Sequence, residues 1–341
     1  MSAAGLPYRL RPHKAVDRRI FLELLTRYER WQPLDGHAYV SMAAYTMEDQ
    51  KLVHRLLGIQ RLLAFDRETS IVDRQLFNRP TSDSRCVAAD STVVVSDLEG
   101  FVRGAGIEDS AGYIVWLDYT DPNRIRTQLG EFQQLAGQMA AGDIVKVTVN
   151  AAPGSWGANK RTEDREEGPA LKELLRTRTY EKLRSRLGDL IAPEVTPDGL
   201  DDAGLAQALA RAFGLAANRA IRPTNRLALE PLSVVRYADG LQMLSVTAAM
   251  VERARVGELR AKLQLHDWAF GSASWHDVRF MAVPDLTVRE RLYLERNAHL
   301  TAPAIAAEVG FDFDEATGMP GFLDNYAGYY RHYPMLSPVE L

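Results

Sequence analysis

A chain of 341 residues with 46% hydrophobic and 25% charged residues is that of an ordinary globular protein, long enough for one large domain or a domain with a sizeable insert. The formal net charge of −4 argues against wholesale nucleic-acid binding, and a lone Cys86 excludes an internal disulfide and a cysteine-built zinc site. No apolar run approaches the roughly 18 residues of a membrane span, and Met1–Arg11 lacks an apolar core, so a cytoplasmic protein with no membrane partner is expected.

Val16, Ile20, Phe21, Leu24, Leu25 and Tyr28 fall on one helical face, which predicts a helix over 14–29. A strand at 38–42 follows, then a small-residue turn and a helix that Thr46 is placed to cap, with Glu48 and Asp49 in its first turn and Gly58 at its end. A second strand at 60–65 ends on Asp66. In a βαβ unit an acid roughly 20 residues past the first turn is placed to bind the ribose of a nucleoside cofactor. A short helix is expected at 69–78, ending before Pro80.

Val93–Ser96 reads as a third strand followed by Asp97, and Tyr113–Leu117 as a fourth followed by Asp118. Asp121-Pro122 starts a helix, Gly142 stops it, and Ile144–Val149 forms a fifth strand. Such alternation implies a parallel sheet with helices on both faces. Pro153–Gly168 reads as a loop, and Pro169–Leu190 as a basic helix carrying Lys172, Arg176, Arg178, Lys182, Arg184 and Arg186. With a second helix at 201–217, residues 155–229 are expected to form a helical insertion. Strands at 232–237 and 241–247 flank the hairpin turn Ala-Asp-Gly, another short strand is expected at 278–283, and 287–309 is helical before an aromatic tail with Tyr326, Tyr329, Tyr330 and Tyr333.

Five strand–helix units followed by an antiparallel hairpin resemble the class I S-adenosylmethionine-dependent methyltransferases. Within that superfamily the chain is similar to divergent bacterial O-methyltransferases, some of them found among phage-defence genes. The resemblance implies an α/β, Rossmann-like sheet over 1–154 and 230–285, the helical insertion at 155–229, and a helical and aromatic tail at 286–341. It implies S-adenosylmethionine as cosubstrate, with Asp66 on the ribose, Asp97 at the adenine, and Ser41, Ala43 and Ala44 where the family has a glycine-rich turn. Alanine resists the positive backbone angles that glycine adopts freely, so this turn departs from the family pattern. Glu48 and Asp49 would repel a pyrophosphate at that helix N-terminus, whereas a sulfonium and an ammonium tolerate them. Simple compensation of the helix dipole explains the same two acids.

Lys146 stands inside the apolar fifth strand, where a lysine needs a partner. FtsJ-like ribose 2′-O-methyltransferases carry a lysine in the equivalent strand and use a Lys-Asp-Lys-Glu set. By that resemblance Lys14 and Lys146 match the lysines, Asp118 the aspartate, and Glu230 the glutamate. A lysine acts as a base only when burial or a nearby cation lowers its pKa. The alternatives are a solvated Lys146 paired with Asp118 or Asp143, and a Lys14 belonging to a surface patch with Arg9, Arg11, Arg18 and Arg19. His266 and His276, beside Trp268 and Trp275, lack the further ligands a metal requires. The expected function is methylation of a hydroxyl, with RNA ribose as the acceptor the resemblance suggests. The basic helix at 172–186 is either a solvated face or a contact for RNA or a protein partner. From a different class, a catalytically silent fold serving as a nucleotide sensor or a defence-complex subunit accounts for the altered first turn.

Overall fold

The computed structural model describes residues 12–222, 224–239, 241–281, 283, 286–313 and 318–333. Arg9, Arg11 and the turn residue Gly240 lie outside them, as does the N-terminal segment lacking an apolar core. The chain begins with α1 (Pro12–Tyr28), β1 (His37–Ser41), α2 (Glu48–Leu57), β2 (Arg61–Asp66), α3 (Thr69–Asn78) and β3 (Arg85–Ala88). Next come α4 (Ser91–Ser96), α5 (Leu98–Gly104), β4 (Gly112–Asp118), α6 (Ile125–Ala136) and β5 (Ile144–Asn150). Helices α7 (Gly168–Leu187) and α8 (Asp202–Ala220) lead to the hairpin β6 (Leu227–Asp239) and β7 (Leu241–Glu252). The remaining elements are α9 (Val256–Leu263), β8 (Arg279–Met281), α10 (Val288–Arg296), α11 (Ala302–Val309) and α12 (Gly318–Tyr329).

The strands form one sheet in the order β3-β2-β1-β4-β5-β7-β6-β8. β1 pairs in parallel with β2 and β4, β2 with β3, and β4 with β5. β7 is antiparallel to β5 and is inserted between β5 and β6. This is the methyltransferase-like sheet that the resemblance implies. Its central parallel strand is covered on both sides: all seven residues of β5 are buried, the polar Lys146, Thr148 and Asn150 included.

One sheet face carries Val40, Phe65, Leu117, Val145 and Val147, packed in a single core with Val94, Leu129, Phe132, Leu205, Leu209 and Phe213. Helix α8 supplies ten buried residues and lies on α6, so it covers the sheet as a crossover helix. The basic helix α7 buries only Thr179, Leu183 and Leu187, and Leu183 and Leu187 join the same core. The 155–229 stretch therefore forms no unit of its own. Residues 21–236 and 241–280 make one compact unit, and the described residues within 1–20, 237–240 and 281–341 make another. In the second unit, Thr287 and Glu290 build a reciprocal capping box on α10, and the rings of Phe313, Phe322, Tyr326 and Tyr330 stack in sequence. Among the described residues no helix is long and apolar enough to cross a membrane.

Two local expectations are corrected. Val93–Ser96 is part of α4, and the third strand is Arg85–Ala88. Asp90 caps α4 by accepting from the Thr92 backbone N–H at 3.0 Å, and the helix turns Val94 and Val95 into the core. Burial outweighs the β-propensity of three consecutive valines. Thr46 does not cap α2. Met47 holds the cap position in the left-handed conformation (φ 55°), and the buried Thr46 hydroxyl has no hydrogen-bond partner.

Candidate active site

Parallel sheets place ligand sites beyond the carboxyl ends of their strands, because the connecting loops diverge there. A cavity of about 290 Å³ lies at that edge, where Met42, Asp66, Asp90 and Asp118 follow or end β1, β2, β3 and β4. That volume is at the small end of the range for small-molecule sites. Tyr119, Asp121, Arg124, Gln128 and Glu131 close the β4–α6 side.

Each acid is held by local chemistry. Asp66 is half-buried, and its Oδ1 accepts the Glu68 N–H at 2.8 Å, fixing the turn into α3. The Thr92 N–H on Asp90, helped by the Thr92 hydroxyl, holds the Asp90 carboxyl below its ordinary range. Asp121 caps the turn at Pro122–Arg124 through the Asn123 N–H at 2.9 Å. The Tyr119 hydroxyl donates to Glu131 in the interior, and burial, reinforced by the Glu131 charge, pushes the Tyr119 pKa strongly up. Tyr119 therefore stays protonated.

Of the residues expected to hold a cofactor, Asp66 is in the cavity and Asp97 is not. Asp97 caps α5 instead, accepting the Gly100 N–H at 2.9 Å. Asp90 takes the position after β3; the short, half-exposed Arg-Cys-Val-Ala strand offered little apolar signal, although Asp90 three residues before a valine run is a legible helix cap. The turn at 41–47 is tied to its own surroundings. The Ser41 hydroxyl donates to Asp49 at 2.6 Å, Gln75 donates to the Ala43 carbonyl at 2.5 Å, and the Ala44 carbonyl accepts the Met47 N–H at 2.9 Å. Ser41, Ala43 and Ala44 do not line the cavity, whereas Met42 between them does. Asp49 and Glu48 thus serve β1 and α2, with Tyr39 also donating to Asp49 at 3.0 Å.

Of the expected catalytic set, Asp118 lines the cavity. Lys146 is buried, donates to the Ser245 hydroxyl at 2.5 Å, and has its ammonium 5.1 Å and 4.9 Å from the ring centres of Phe21 and Trp116. It does not line the cavity and is not on a solvated face. In register it pairs with Trp116, two residues before the Asp118–Thr148 pair, so Lys146 and Asp118 stand on the same face of neighbouring strands. Glu230 does not line this cavity: it binds Arg260 at 2.6 Å and lines a separate cavity with Pro231 and Trp275. Lys14 is buried in the first part of α1, which belongs to the other compact unit, and is no surface-patch residue. His266 and His276 are hydrogen-bonded to Asp267 and Ser274, and among the described residues no cluster of three His, Cys, Asp or Glu side chains could hold a metal.

Residues missed by the sequence reading are Asp90, Tyr119, Gln128 and Glu131. Glu131 is buried on α6 together with Phe132 and Leu135.

The strand order and the antiparallel β7 are those of the class I methyltransferase fold. The chain belongs to the family described as Putative O-methyltransferase, which it matches over residues 6–341. Among solved structures it is similar to the antibiotic-resistance methyltransferase Kmr (15% identity, TM-score 0.31, covering 66% of this chain and 93% of that one). It is also similar to the 16S rRNA (adenine(1408)-N(1))-methyltransferase of Catenulisporales acidiphilia, solved with its cosubstrate (12% identity, TM-score 0.30, covering 67% and 91%). No protein of curated function matches.

The family implies S-adenosylmethionine as cosubstrate. The cavity suits it: Asp66, Asp90, Asp118, Asp121 and Glu131 line it alongside Arg67 and Arg124, and Glu131 Oε1 is buried with no hydrogen-bond partner. Acceptors of this kind fit a ligand rich in cations, hydroxyls and N–H donors.

Proposed function

We propose that this protein transfers a methyl group from S-adenosylmethionine to a hydroxyl. The observation that carries this reading is the convergence of Asp66, Asp90 and Asp118, from three parallel strands, on one cavity. Asp66 would hold the ribose hydroxyls, and Asp118 would face the reacting end. When bound, the cosubstrate supplies an electrophilic methyl group on a positively charged sulfur. The acceptor hydroxyl must lose its proton as it attacks. Asp118, at the cavity, is proposed to orient it, and Lys146, on the same face of the adjacent strand, to take that proton as the neutral amine, becoming the ammonium. RNA ribose is the acceptor suggested by the Lys-Asp-Lys-Glu resemblance, of which Glu230 is paired with Arg260.

The test is calorimetric titration with S-adenosylmethionine and S-adenosylhomocysteine, followed by transfer of labelled methyl to RNA and small hydroxylic acceptors. Binding of both is expected. Lys146→Ala should abolish transfer while S-adenosylhomocysteine affinity stays within about threefold, because a base acts mainly in the transition state. Lys146→Arg should not rescue it, since arginine keeps its proton. No binding by the wild type would leave a silent scaffold with an occluded first turn. Full transfer by Lys146→Ala would remove the lysine from the mechanism.

A further inference from the structure

A second cavity, of about 590 Å³, is lined by α10, α11, α12 and the turn joining α10 to α11, all within the unit that holds the C-terminal residues. That volume lies well inside the range of small-molecule sites. Its interior is apolar and its rim is acidic. Leu294, Ile305 and Tyr326 are buried, at 2%, 2% and 7% exposure, whereas Glu295 and Asp324 are exposed. Among the described residues that line the cavity, these two carboxylates are the only charged groups. Arg291, whose charge reaches Tyr326, lies 4.6 Å from the ring centre of Tyr333 and does not line the cavity. Tyr326 and Tyr330 both line it, and their rings stack with centres 5.9 Å apart and planes at 29°. Burial, reinforced by the Glu295 charge, pushes the Tyr326 pKa up to about 12, so this ring stays neutral near pH 7.

We propose that this cavity binds an organic cation with an apolar body, of the arylalkylamine kind. Buried Leu294 and Ile305 offer the surface on which an apolar body leaves water. The two tyrosine rings attract a cation through their quadrupoles, and Glu295 and Asp324 are placed at the rim to hold an ammonium by charge-assisted hydrogen bonds. Charge complementarity selects this occupant: a carboxylate or phosphate ligand would meet two acids and no lining cation. The donor set does not suit a metal ion. Two carboxylates above an apolar floor fall short of the oxygen shell that a hard cation requires, and among the described residues no three His, Cys, Asp or Glu side chains are grouped to hold one. No residue lines both this cavity and the one beyond the strand ends, so the site is independent of the cosubstrate assignment.

The experiment titrates the full chain, by fluorescence at low salt, with three ligands that share one ring system: 2-(1-naphthyl)ethylamine, 2-(1-naphthyl)ethanol and 3-(1-naphthyl)propionate. The wild type should bind the amine at least about fivefold more tightly than the alcohol, and the carboxylate more weakly than either. The double variant Glu295→Gln/Asp324→Asn keeps shape at two exposed positions and removes both charges; it should bind amine and alcohol within about twofold of each other. Ala327→Trp, at an exposed lining position, fills the cavity and should weaken both ligands at least about fivefold. Equal binding of amine and alcohol by the wild type, or binding of neither, overturns the proposal without need of any variant. A preference for the amine retained in the double variant overturns it too, as does undiminished binding by Ala327→Trp.

Discussion

At the scale of single residues, the chemistry depends on which acids are already committed. Asp97 and Asp121 cap short helical segments, while Asp66 gives one oxygen to the Glu68 N–H and lines the cavity. Asp66→Ala should weaken S-adenosylhomocysteine binding at least about tenfold, the loss of a charge-assisted hydrogen bond to ribose; a titration showing unchanged affinity would remove it from the site. His37 illustrates a residue whose role is structural. It is buried at the start of β1, with Nε2 3.4 Å from the Gly142 carbonyl oxygen and Nδ1 unpartnered, and burial lowers its pKa. The unfolded chain binds a proton on this histidine below about pH 6.5, and the folded chain resists it. Stability should therefore be complete near neutrality and decline as pH falls through that value towards the lower folded pKa. Melting temperatures of the wild type and His37→Gln between pH 8 and 5 should diverge in slope, the wild type falling more steeply; parallel slopes would refute the assignment.

At the scale of elements, α8 shows why sheet cover and insertion are hard to separate in a sequence. Its run Leu205, Ala208, Leu209, Ala212, Phe213 and Ala216 is a conventional buried stripe. Only its seat on α6 and β7 makes it a crossover helix. The fit is close at Gly214, where an added Cβ would stand 2.8 Å from Trp275 Cγ and 3.1 Å from Trp275 Cβ. Those atoms sit near the tryptophan backbone, and the Trp275 ring packs edge-on against Phe132. Gly214→Ala gains about 1 kcal/mol of helix propensity but overpacks the core by about 1–3 kcal/mol, so a net loss is expected. Gly130, in exposed α6 surface with nothing within 4 Å of an added Cβ, is the control: Gly130→Ala should raise the melting temperature. A rise for both would mean that Trp275 gives way.

At the scale of the whole molecule, a net charge of −4 makes any polyanion contact a local matter. Helix α7 is the main basic element, but two of its arginines are used internally. Arg178 makes a bidentate pair with Asp164 at 2.7 and 2.6 Å, and Arg186 reaches Asn123 at 2.5 Å beside the cavity rim. Lys172, Lys182 and Arg184 are exposed, and Arg176 is half-buried. If RNA is the acceptor, reversing Arg176 and Lys182 to Glu should weaken binding and flatten its salt dependence, since each lost phosphate contact removes about one unit of slope. Identical slopes for mutant and wild type would leave α7 a solvated face.

The sequence by itself determined the alternation of β1, α2, β2, α3, β4 and β5, the hairpin of β6 and β7, and the acids Asp66 and Asp118 at strand ends. Those features are written locally: apolar runs of strand length, Gly58 stopping α2, Asp121-Pro122 opening a helix, and a turn residue between two long strands. The tertiary structure alone decided the rest. It made Val93–Val95 helical by burying Val94 and Val95, and so moved the acid after the third strand from Asp97 to Asp90. It set Lys146 between aromatic rings and Ser245, bound Glu230 to Arg260, and brought α6 across the strand ends to present Glu131. The physical reason is that local pattern fixes whether a residue is on an apolar or polar face, whereas a partner on a distant strand or helix fixes whether its charge is satisfied, and only satisfied or conspicuously unsatisfied charges make a site.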